Sequence, residues 1–404
     1  MIKSVFFATF APWEKGKRMP TNGMIEPMTE FFTSKVDRFI LLDNPHPGSS
    51  NLFSIIEVYE KGKLKTKVSS SIFIKILKPF LNLTNSVGTQ IPFKLRDFLS
   101  IFDFVVRDRK KYDLFIGLES VHALAGVILK KVGLVKIVVY YVSDYSPQRY
   151  SNKFFNKIYL SLDRCAVANS DYVWDVSKAM MGARIKVGLD KKYESKRIHV
   201  PNALYPEQID YLPMSKIQKN TLVYAGTLGV ENGPDIAIRA IALAAKKIPT
   251  IKLHIFGGGE KDLKRLKALT QKLKAEKNIE FRGFFTDQKK LSKEIKKLAV
   301  GIAPYKAIPG SPRWWADATK IRLYLAAGQP VITTQVPPLG KEVQDNNAGI
   351  ITKDKPSAMS EAIIRILKDQ KSYKKYRKNA INMASDNLWE NTYSAALKGM
   401  DIDL

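Results

Sequence analysis

Apolar runs of strand length alternate with amphipathic segments of helix length along the chain, a pattern typical of parallel α/β sheets. In the first half the runs predict the strands SVFFATF, DRFILLD, LFSIIEVYE, YDLFIGLE, VKIVVYYV and DYVWDVS. In the second half they predict TLVYAGTL, IKLHIFGG, IEFRGF, VGIAPY, PVITT and AGIIT. A helix is predicted over residues 91–108, and its expected buried face carries Phe98, Leu99, Phe102, Val105 and Val106.

Two domains are expected, because 404 residues exceed what one ordinary core holds. Residues 1–202 form the first doubly wound domain, and residues 221–384 form the second. Residues 203–220 are polar, contain two prolines and are predicted to be a hinge. Residues 385–404 hold a last helix, in which Trp389, Tyr393 and Leu397 share one face.

Composition limits the classes of binding partner and of site chemistry that the sequence supports. Lys and Arg total 66 against 38 Asp and Glu, a net charge of +28, which favours polyanionic neighbours. Nucleic acid is not favoured among them, because the lysines are dispersed and no RNA-binding or DNA-binding motif is present. The single Cys165 excludes an internal disulfide, and neither zinc-site spacing nor a DxD pair at a strand end is found. Without a signal peptide or a long apolar run, the chain is expected to be cytoplasmic, with peripheral membrane attachment left open.

Two strand-to-helix turns are rich in glycine. HIFGGGE spans His254 to Glu260, and VYAGTLGVENGPD spans Val223 to Asp235. Such turns let the backbone approach an anion at a helix N-terminus, although a purely structural tight turn explains each about as well. A third candidate is Lys320, near the start of a helix that ends at Gly328. A cation there opposes the helix dipole and invites a bound anion, but a solvated lysine is the alternative.

Taken together, these segments resemble a known family. YAGTLGVENGPDIAIRAI, LHIFGGGEKDLKRL, IEFRGFFTDQKKL, VGIAPYK and TKIRLYLAAGQPVITT stand in order across residues 221–367. They resemble the C-terminal half of the family-four retaining glycosyltransferases, which have the GT-B architecture. VYYVSDYSPQRY, LDRCAVANSDYVWDVSKAM and the last helix resemble the family less closely.

The resemblance implies an α/β, GT-B fold, with two Rossmann-like doubly wound domains facing a central cleft and a C-terminal helix crossing back to the first domain. It also implies transfer of a sugar, with retention, from a nucleotide-diphosphate donor to a glycan or lipid-linked acceptor in cell-envelope or polysaccharide biosynthesis. Neither a cofactor nor a metal is expected. A GT-B protein that binds a nucleotide sugar or glycan without transfer is the alternative, and a nucleic-acid binder is a third option.

Candidate site residues follow from the same resemblance. The catalytic candidates are Ser143 and Asp144. The acceptor side is expected to involve Glu119, His122 and Arg149, although capping or packing is the alternative for His122. The donor side is expected to comprise Gly226, Thr227, Asn232, Gly257, Gly258, Arg282, Lys306, Arg313, Asp317, Thr319 and Lys320. The helix beginning near Thr319 is expected to point its N-terminus at the donor diphosphate.

The sequence departs from the family at several donor positions. Two family glutamates, one of which holds the donor ribose, align with Trp315 and Leu323, so Asp317 is the candidate substitute. A family Arg and Lys pair that binds diphosphate aligns with Thr227 and Asn232. Lys320, Arg313 and Lys306 are the expected replacements for those charges. A family histidine aligns with Ser143.

One basic and apolar stretch stands apart from these motifs. EKGKLKTKVSSSIFIKILKPFLNL, Glu60 to Leu83, mixes lysines with Ile72, Phe73, Ile76, Leu77 and Phe80. It is predicted either to lie on an anionic membrane leaflet or to be a core-facing helix with a lysine-rich outer face.

Overall fold

The computed structural model describes residues 2–19, 23–81, 90–285 and 287–404. They divide into two compact units, residues 1–202 with 392–404 (unit 1) and residues 203–391 (unit 2). Residues 203–220, predicted as a hinge, are counted with unit 2. No helix within the described ranges is long and apolar enough to span a membrane.

Unit 1 is built around an eight-stranded sheet with the order β10-β9-β8-β7-β1-β4-β5-β6. Its strands are β1 (Ser4–Ala11), β4 (Arg38–Pro45), β5 (Ile55–Glu60), β6 (Lys63–Ser69), β7 (Tyr112–Leu118), β8 (Val135–Val142), β9 (Tyr172–Asp175) and β10 (Arg197–His199). A two-stranded hairpin consists of β2 (Trp13–Glu14) and β3 (Lys17–Arg18). The helices are α1 (Ile25–Thr33), α2 (Ile72–Lys75), α3 (Lys78–Leu81), α4 (Gln90–Asp108), α5 (Ser120–Lys131), α6 (Lys153–Asn169) and α7 (Ala179–Lys186).

The six strands from β10 to β4 are parallel, whereas β5 and β6 pair antiparallel at one edge. The sequence pattern, which is typical of parallel sheets, did not indicate this antiparallel edge. Helical structure was also expected for part of β6, but the lysines of KLKTKV alternate along an exposed edge strand. The helices that follow, α2 and α3, have only four residues each. Residues 82 and 83 of the predicted stretch lie outside the described residues.

The longest helix of unit 1, α4, buries the predicted face only in part: Val105 is buried, and Phe98 and Phe102 pack partly buried against the core. Val106 is 71% exposed, while Arg96, Asp97 and Ser100 are buried. Arg96 donates to Asp97 and to the backbone carbonyls of Leu52 and Pro45. Because the buried side of α4 also carries satisfied polar groups, apolar spacing alone locates only part of it.

Unit 2 contains a fully parallel six-stranded sheet with the order β13-β12-β11-β14-β15-β16. Its strands are β11 (Gln218–Ala225), β12 (Lys252–Phe256), β13 (Ile279–Gly283), β14 (Leu298–Ala303), β15 (Val331–Thr334) and β16 (Gly349–Thr352). Its helices are α8 (Pro234–Ala244), α9 (Glu260–Lys272), α10 (Gln288–Ile295), α11 (Thr319–Ala326), α12 (Pro338–Asp345), α13 (Pro356–Lys368) and α14 (Gln370–Asp386).

A last helix, α15 (Trp389–Lys398), begins in unit 2 and ends in unit 1. The predicted common face is present, since Trp389, Tyr393 and Leu397 are all buried. In unit 1, the Tyr393 ring lies 5.3 Å from Phe31 and 6.3 Å from Trp174. Tyr393 therefore contributes to the core of unit 1.

Candidate functional site

The carboxyl ends of β11, β12 and β14 bring the glycine-rich turns of unit 2 together. Gly226 follows β11, and its amide donates to the carbonyl of Phe256 at the end of β12 (2.9 Å). Gly233 has a φ of +67°, and a Cβ there would lie 1.7 Å from the carbonyl oxygen of Pro304, after β14. Only glycine permits this close approach. The turn between β11 and α8 is thus held against the loop after β14.

Lys320, in the first turn of α11, reaches into this edge of the sheet. Its side chain is buried, and Nζ donates to the hydroxyl of Tyr224 (3.2 Å). Nζ also lies 4.3 Å from the ring centroid of Tyr224 and 4.7 Å from that of Tyr305. A Cβ on Gly226 would meet Lys320 Cε at 3.3 Å. The ammonium is therefore placed beside the turn after β11.

Lys320 is a buried cation with aromatic and hydroxyl partners. Among the described residues, no carboxylate lies within ion-pair distance of its Nζ. Burial, with a smaller contribution from the nearby charge of Arg313, lowers the pKa of Lys320 to about 7. A group in this state gains its missing countercharge when an anion binds.

Hydroxyl and amide groups connect Lys320 to the turn. The Tyr224 hydroxyl donates to the carbonyl of Thr227 (2.5 Å), and Asn232 Nδ2 donates to Thr227 Oγ1 (2.8 Å). The structure thus brings together Gly226, Thr227, Asn232 and Lys320, four of the residues predicted for the donor side. Sequence reasoning missed Tyr224 and Tyr305, because aromatic residues in strand-end positions look like ordinary core residues.

A pocket of about 40 Å³ opens at the N-terminus of α11. Its lining residues are Tyr305, Arg313, Ala316, Asp317, Ala318, Thr319 and Pro337. Helix α11 begins at Thr319, as predicted, so the positive end of the helix dipole faces this space. Arg313 adds a guanidinium whose buried Nε has no hydrogen-bond partner among the described residues and lies 4.0 Å from a Glu231 carboxylate oxygen.

Two other predicted cations are engaged elsewhere. Lys306 forms an ion pair with Asp235 (2.8 Å), which neutralises much of its charge. Arg282, on the edge strand β13, pairs with Glu294 of α10 (3.3 Å). Gly257 and Gly258 follow β12, and a Cβ on Gly257 would meet the Gly226 carbonyl at 2.4 Å. Lys320 and Arg313 are therefore the better candidates for replacing the lost family charges.

Asp317 does not fit its expected part as a substitute ribose carboxylate. Its side chain is 3% exposed, and both oxygens accept hydrogen bonds from Arg322 at 2.9 to 3.2 Å. A ribose hydroxyl would have to compete with a buried ion pair, so the structure corrects this expectation. Leu323 packs against the apolar core of unit 2.

In unit 1, charged side chains gather at the carboxyl ends of three adjacent strands, β1, β7 and β8. Glu119 follows β7 with a φ of 70°, a strained conformation for a residue with a side chain. Lys94 of α4 donates to Glu119 at 2.6 Å, and its Nζ lies 5.5 Å from the ring of Phe10 at the end of β1. Burial alone would raise the pKa of Glu119, but the Lys94 ammonium outweighs it and lowers that pKa.

Asp144 and Arg149, in the loop after β8, form an ion pair with each other. Burial alone would lower the pKa of Arg149, yet Asp144 and then Glu119 raise it. Glu119, Asp144 and Arg149 thus belong to one electrostatic cluster. Ser143 lies half-buried between β8 and Asp144. Lys94 is a member that the sequence did not indicate, because it lies on a distant helix.

His122 is a structural residue here, which corrects its placement on the acceptor side. It is fully buried, and its Nδ1 contacts the carbonyl of Leu118. Since that carbonyl only accepts, Nδ1 carries the proton and Nε2 accepts from Asn44 Nδ2 (2.9 Å). Burial lowers the pKa of His122, in keeping with a neutral ring.

Comparison with known proteins covers the part of the chain that holds Lys320 and the pocket at the N-terminus of α11. Residues 214–383 match the family model described as Glycosyl transferases group 1. These residues belong to the glycosyl transferases group 1 family. A poly(glycerol-phosphate) alpha-glucosyltransferase of Bacillus subtilis is 26% identical over 150 residues, which are 37% of this chain and 21% of the relative. The match thus spans about a fifth of that curated relative.

Solved structures of glycosyltransferases share the fold over nearly the whole chain. HepE from Anabaena, in complex with UDP, has a TM-score of 0.67 and 16% identity, covering 98% of this chain and 99% of that one. A sucrose-phosphate synthase from Thermosynechococcus elongatus has a TM-score of 0.70 and 13% identity, covering 99% and 98%. The fold is GT-B, as expected, and Lys320 and the pocket at the N-terminus of α11 lie inside the group 1 region.

Proposed function

We propose that this protein is a glycosyltransferase that moves a sugar from a nucleotide-diphosphate donor to a glycan or lipid-linked acceptor, with retention, at the cytoplasmic face of a membrane. Its proposed role is in cell-envelope or polysaccharide biosynthesis. Neither an organic cofactor nor a metal ion is proposed. Within the described residues, no group of three or more His, Cys, Asp or Glu is arranged to hold a metal ion.

The observation that carries the proposal is the buried Lys320 ammonium in the group 1 region. Lys320 stands in the first turn of α11 and lies beside Gly226. Arg313 is the neighbouring charge that lowers the pKa of Lys320. Lys320 and Arg313 are two cations at the strand ends of a parallel sheet, and Lys320 has no carboxylate partner among the described residues. Such a pair suits a diphosphate. Because Lys320 packs between two tyrosines, its ammonium is held in place before the donor binds.

UDP is the first nucleotide to test. HepE is described in complex with UDP, and also with UDP-glucose. A starch synthase with the same fold is described with ADP, so ADP is the second candidate. We assign the diphosphate to Lys320, Arg313 and the backbone at Gly226 and Thr227.

In a retaining transfer the acceptor approaches on the face that the diphosphate leaves, so the protein supplies orientation and charge stabilisation. Lys320 and Arg313 stabilise the departing diphosphate. Ser143 and Asp144 orient the reacting hydroxyl, with Arg149 holding the Asp144 carboxylate. The Lys94–Glu119 pair fixes a second acceptor hydroxyl. No protein nucleophile is needed in this scheme.

The test is a thermal-shift panel of UDP, GDP, ADP and their common sugar conjugates, followed by donor turnover with and without EDTA. One nucleotide is expected to stabilise the protein, and Lys320→Met is expected to abolish that shift. Turnover is expected to persist in EDTA. Binding without turnover for any acceptor would instead support a sugar-nucleotide binder, which the missing ribose carboxylate at Leu323 favours. No shift at millimolar ligand would refute the donor site.

A further inference from the structure

Unit 1 exposes a group of large apolar side chains on consecutive elements. Along α2, α3 and the first turns of α4, the exposed fractions are 72% for Ile72, 77% for Phe73, 67% for Ile76, 55% for Phe80, 57% for Ile91 and 47% for Leu95. We call these six residues the apolar face. Their exposure shows that the core-facing alternative for this stretch is wrong.

The short helices that carry the apolar face are anchored to α4. Ile74 and Leu81 point inward and are buried. Ser70 Oγ hydrogen-bonds to Ser100 Oγ (3.2 Å), and the amide of Ser71 donates to Asp103 (3.0 Å). Because four-residue helices are not stable alone, these contacts are what hold the apolar side chains outward.

The segment that carries α2 and α3 is strongly basic. Residues 61–81 contain six lysines and neither Asp nor Glu. All six are exposed, and only Lys67 forms an ion pair in this part of the described structure, with Glu57. Exposed apolar side chains among unpaired lysines suit a surface that is both anionic and able to receive apolar groups.

The apolar face adjoins the proposed acceptor cluster. Strand β6 runs parallel to β1, so α2 follows it at the carboxyl edge of the sheet, where Glu119 also lies. Lys94 connects the two directly. It stands between the exposed Ile91 and Leu95 on α4, and its ammonium pairs with Glu119.

We propose that the apolar face docks on a bilayer containing anionic phospholipids and places the acceptor cluster at the membrane surface. This inference rests on the proposed function, because it selects the lipid-linked class among the acceptors considered there. Phe73 and Ile76 enter the interface, while Lys75 and Lys78 contact lipid phosphates. An acceptor anchored in that bilayer then meets Glu119 and Lys94 without leaving it.

The test is flotation of the whole chain with vesicles of phosphatidylcholine, with or without phosphatidylglycerol. Binding is expected only to the anionic vesicles. The variant Phe73→Ser/Lys75→Glu is expected to weaken binding at least about fivefold, the amount expected for one basic residue at such a surface. Its control, Lys131→Glu/Val132→Ser, makes the same charge reversal and replaces another exposed apolar residue with serine at the end of α5, near the opposite edge of the sheet. Val132 is 63% exposed, and the control is expected to bind like the parent.

Three results would overturn the proposal: no binding to anionic vesicles, equal loss in both variants, or a self-associated parent that Phe73→Ser/Lys75→Glu dissociates. Equal loss would mean that total charge drives adsorption, and the third result would mean that the face joins two copies. Hydrolysis of a soluble donor keeps the two proposals apart. The apolar-face variant is expected to retain it, whereas Lys320→Met is expected to lose it and still bind vesicles.

Discussion

Replacing Lys320 with methionine tests whether this buried ammonium is present for a ligand. The pKa of Lys320 falls from 10.5 to about 7 on folding. The unfolded chain therefore binds more protons between those two pH values, and stability rises with pH across that window. Below it, the full cost of the buried charge is on the order of 5 kcal/mol, from about 1.4 kcal/mol per pKa unit.

Replacing Lys320 with methionine also removes favourable contacts of the ammonium. Each ring contact, with Tyr224 and with Tyr305, contributes up to about 2 kcal/mol when desolvated, and the hydrogen bond about 1 kcal/mol. Methionine fills similar space without the charge. At pH 7 we therefore expect Lys320→Met to leave the free energy of unfolding unchanged or to raise it by up to about 2 kcal/mol.

The same substitution should weaken nucleotide binding. A charge-assisted hydrogen bond to phosphate is worth about 1.5 to 3 kcal/mol, or roughly ten- to 150-fold in affinity. Urea unfolding measures the first effect, and calorimetric titration with UDP measures the second. If Lys320→Met keeps or gains stability and no longer binds UDP, Lys320 is a binding residue.

Arg377→Met is the matched control, since Arg377 is equally buried but donates to the backbone carbonyls of Gly328 (2.6 Å) and Leu212. It is expected to lose about 2 kcal/mol of stability, because those carbonyls lose their donor, and to bind UDP normally once folded. If Lys320→Met lost as much stability as Arg377→Met and bound UDP like the parent, the argument for a donor site at Lys320 would fail.

Three further outcomes are expected. Affinity for UDP should fall as pH rises above 7, by at most about tenfold per unit, as Lys320 loses its proton, and a titration of Lys320→Met should be flat. Gly233→Ala places a Cβ 1.7 Å from the Pro304 carbonyl at a φ of +67°, so urea unfolding should show a loss of roughly 2 to 4 kcal/mol; parental stability would refute the close approach. Glu119→Gln removes the charged partner of Lys94, so sugar transfer should fall about tenfold while donor hydrolysis persists, and an equal loss of both rates would count against an acceptor role.

Much of the fold was predictable because it depends on local patterns. The runs of Val, Ile and Phe located the central strands of both sheets. The predicted strand VKIVVYYV has the same first and last residues as β8. The start of α11 at Thr319 was also predictable. The antiparallel edge was not, because the lysines of β6 alternate in a stretch whose apolar residues pointed to a helix.

Predictions failed where polar groups are buried with partners from distant segments. The burial of Arg96 on α4 was not predicted, because its hydrogen bonds go to carbonyls 44 and 51 residues away in the sequence. His122 looked available as a lone histidine, yet Asn44, 78 residues away, occupies its Nε2. Nothing in the local pattern distinguishes a satisfied buried polar group from a free one.

The candidate sites also have a part that local sequence predicted and a part that depends on distant segments. The sequence by itself determined the strands, the glycine turns and the helix that begins beside Lys320, because each follows from contacts between near neighbours in the chain. Only the tertiary structure decided that Lys320 meets Tyr224, 96 residues away, and that Glu119 meets Lys94, 25 residues away. A pKa is set by burial and by neighbouring charges, and both exist only after distant segments have packed together.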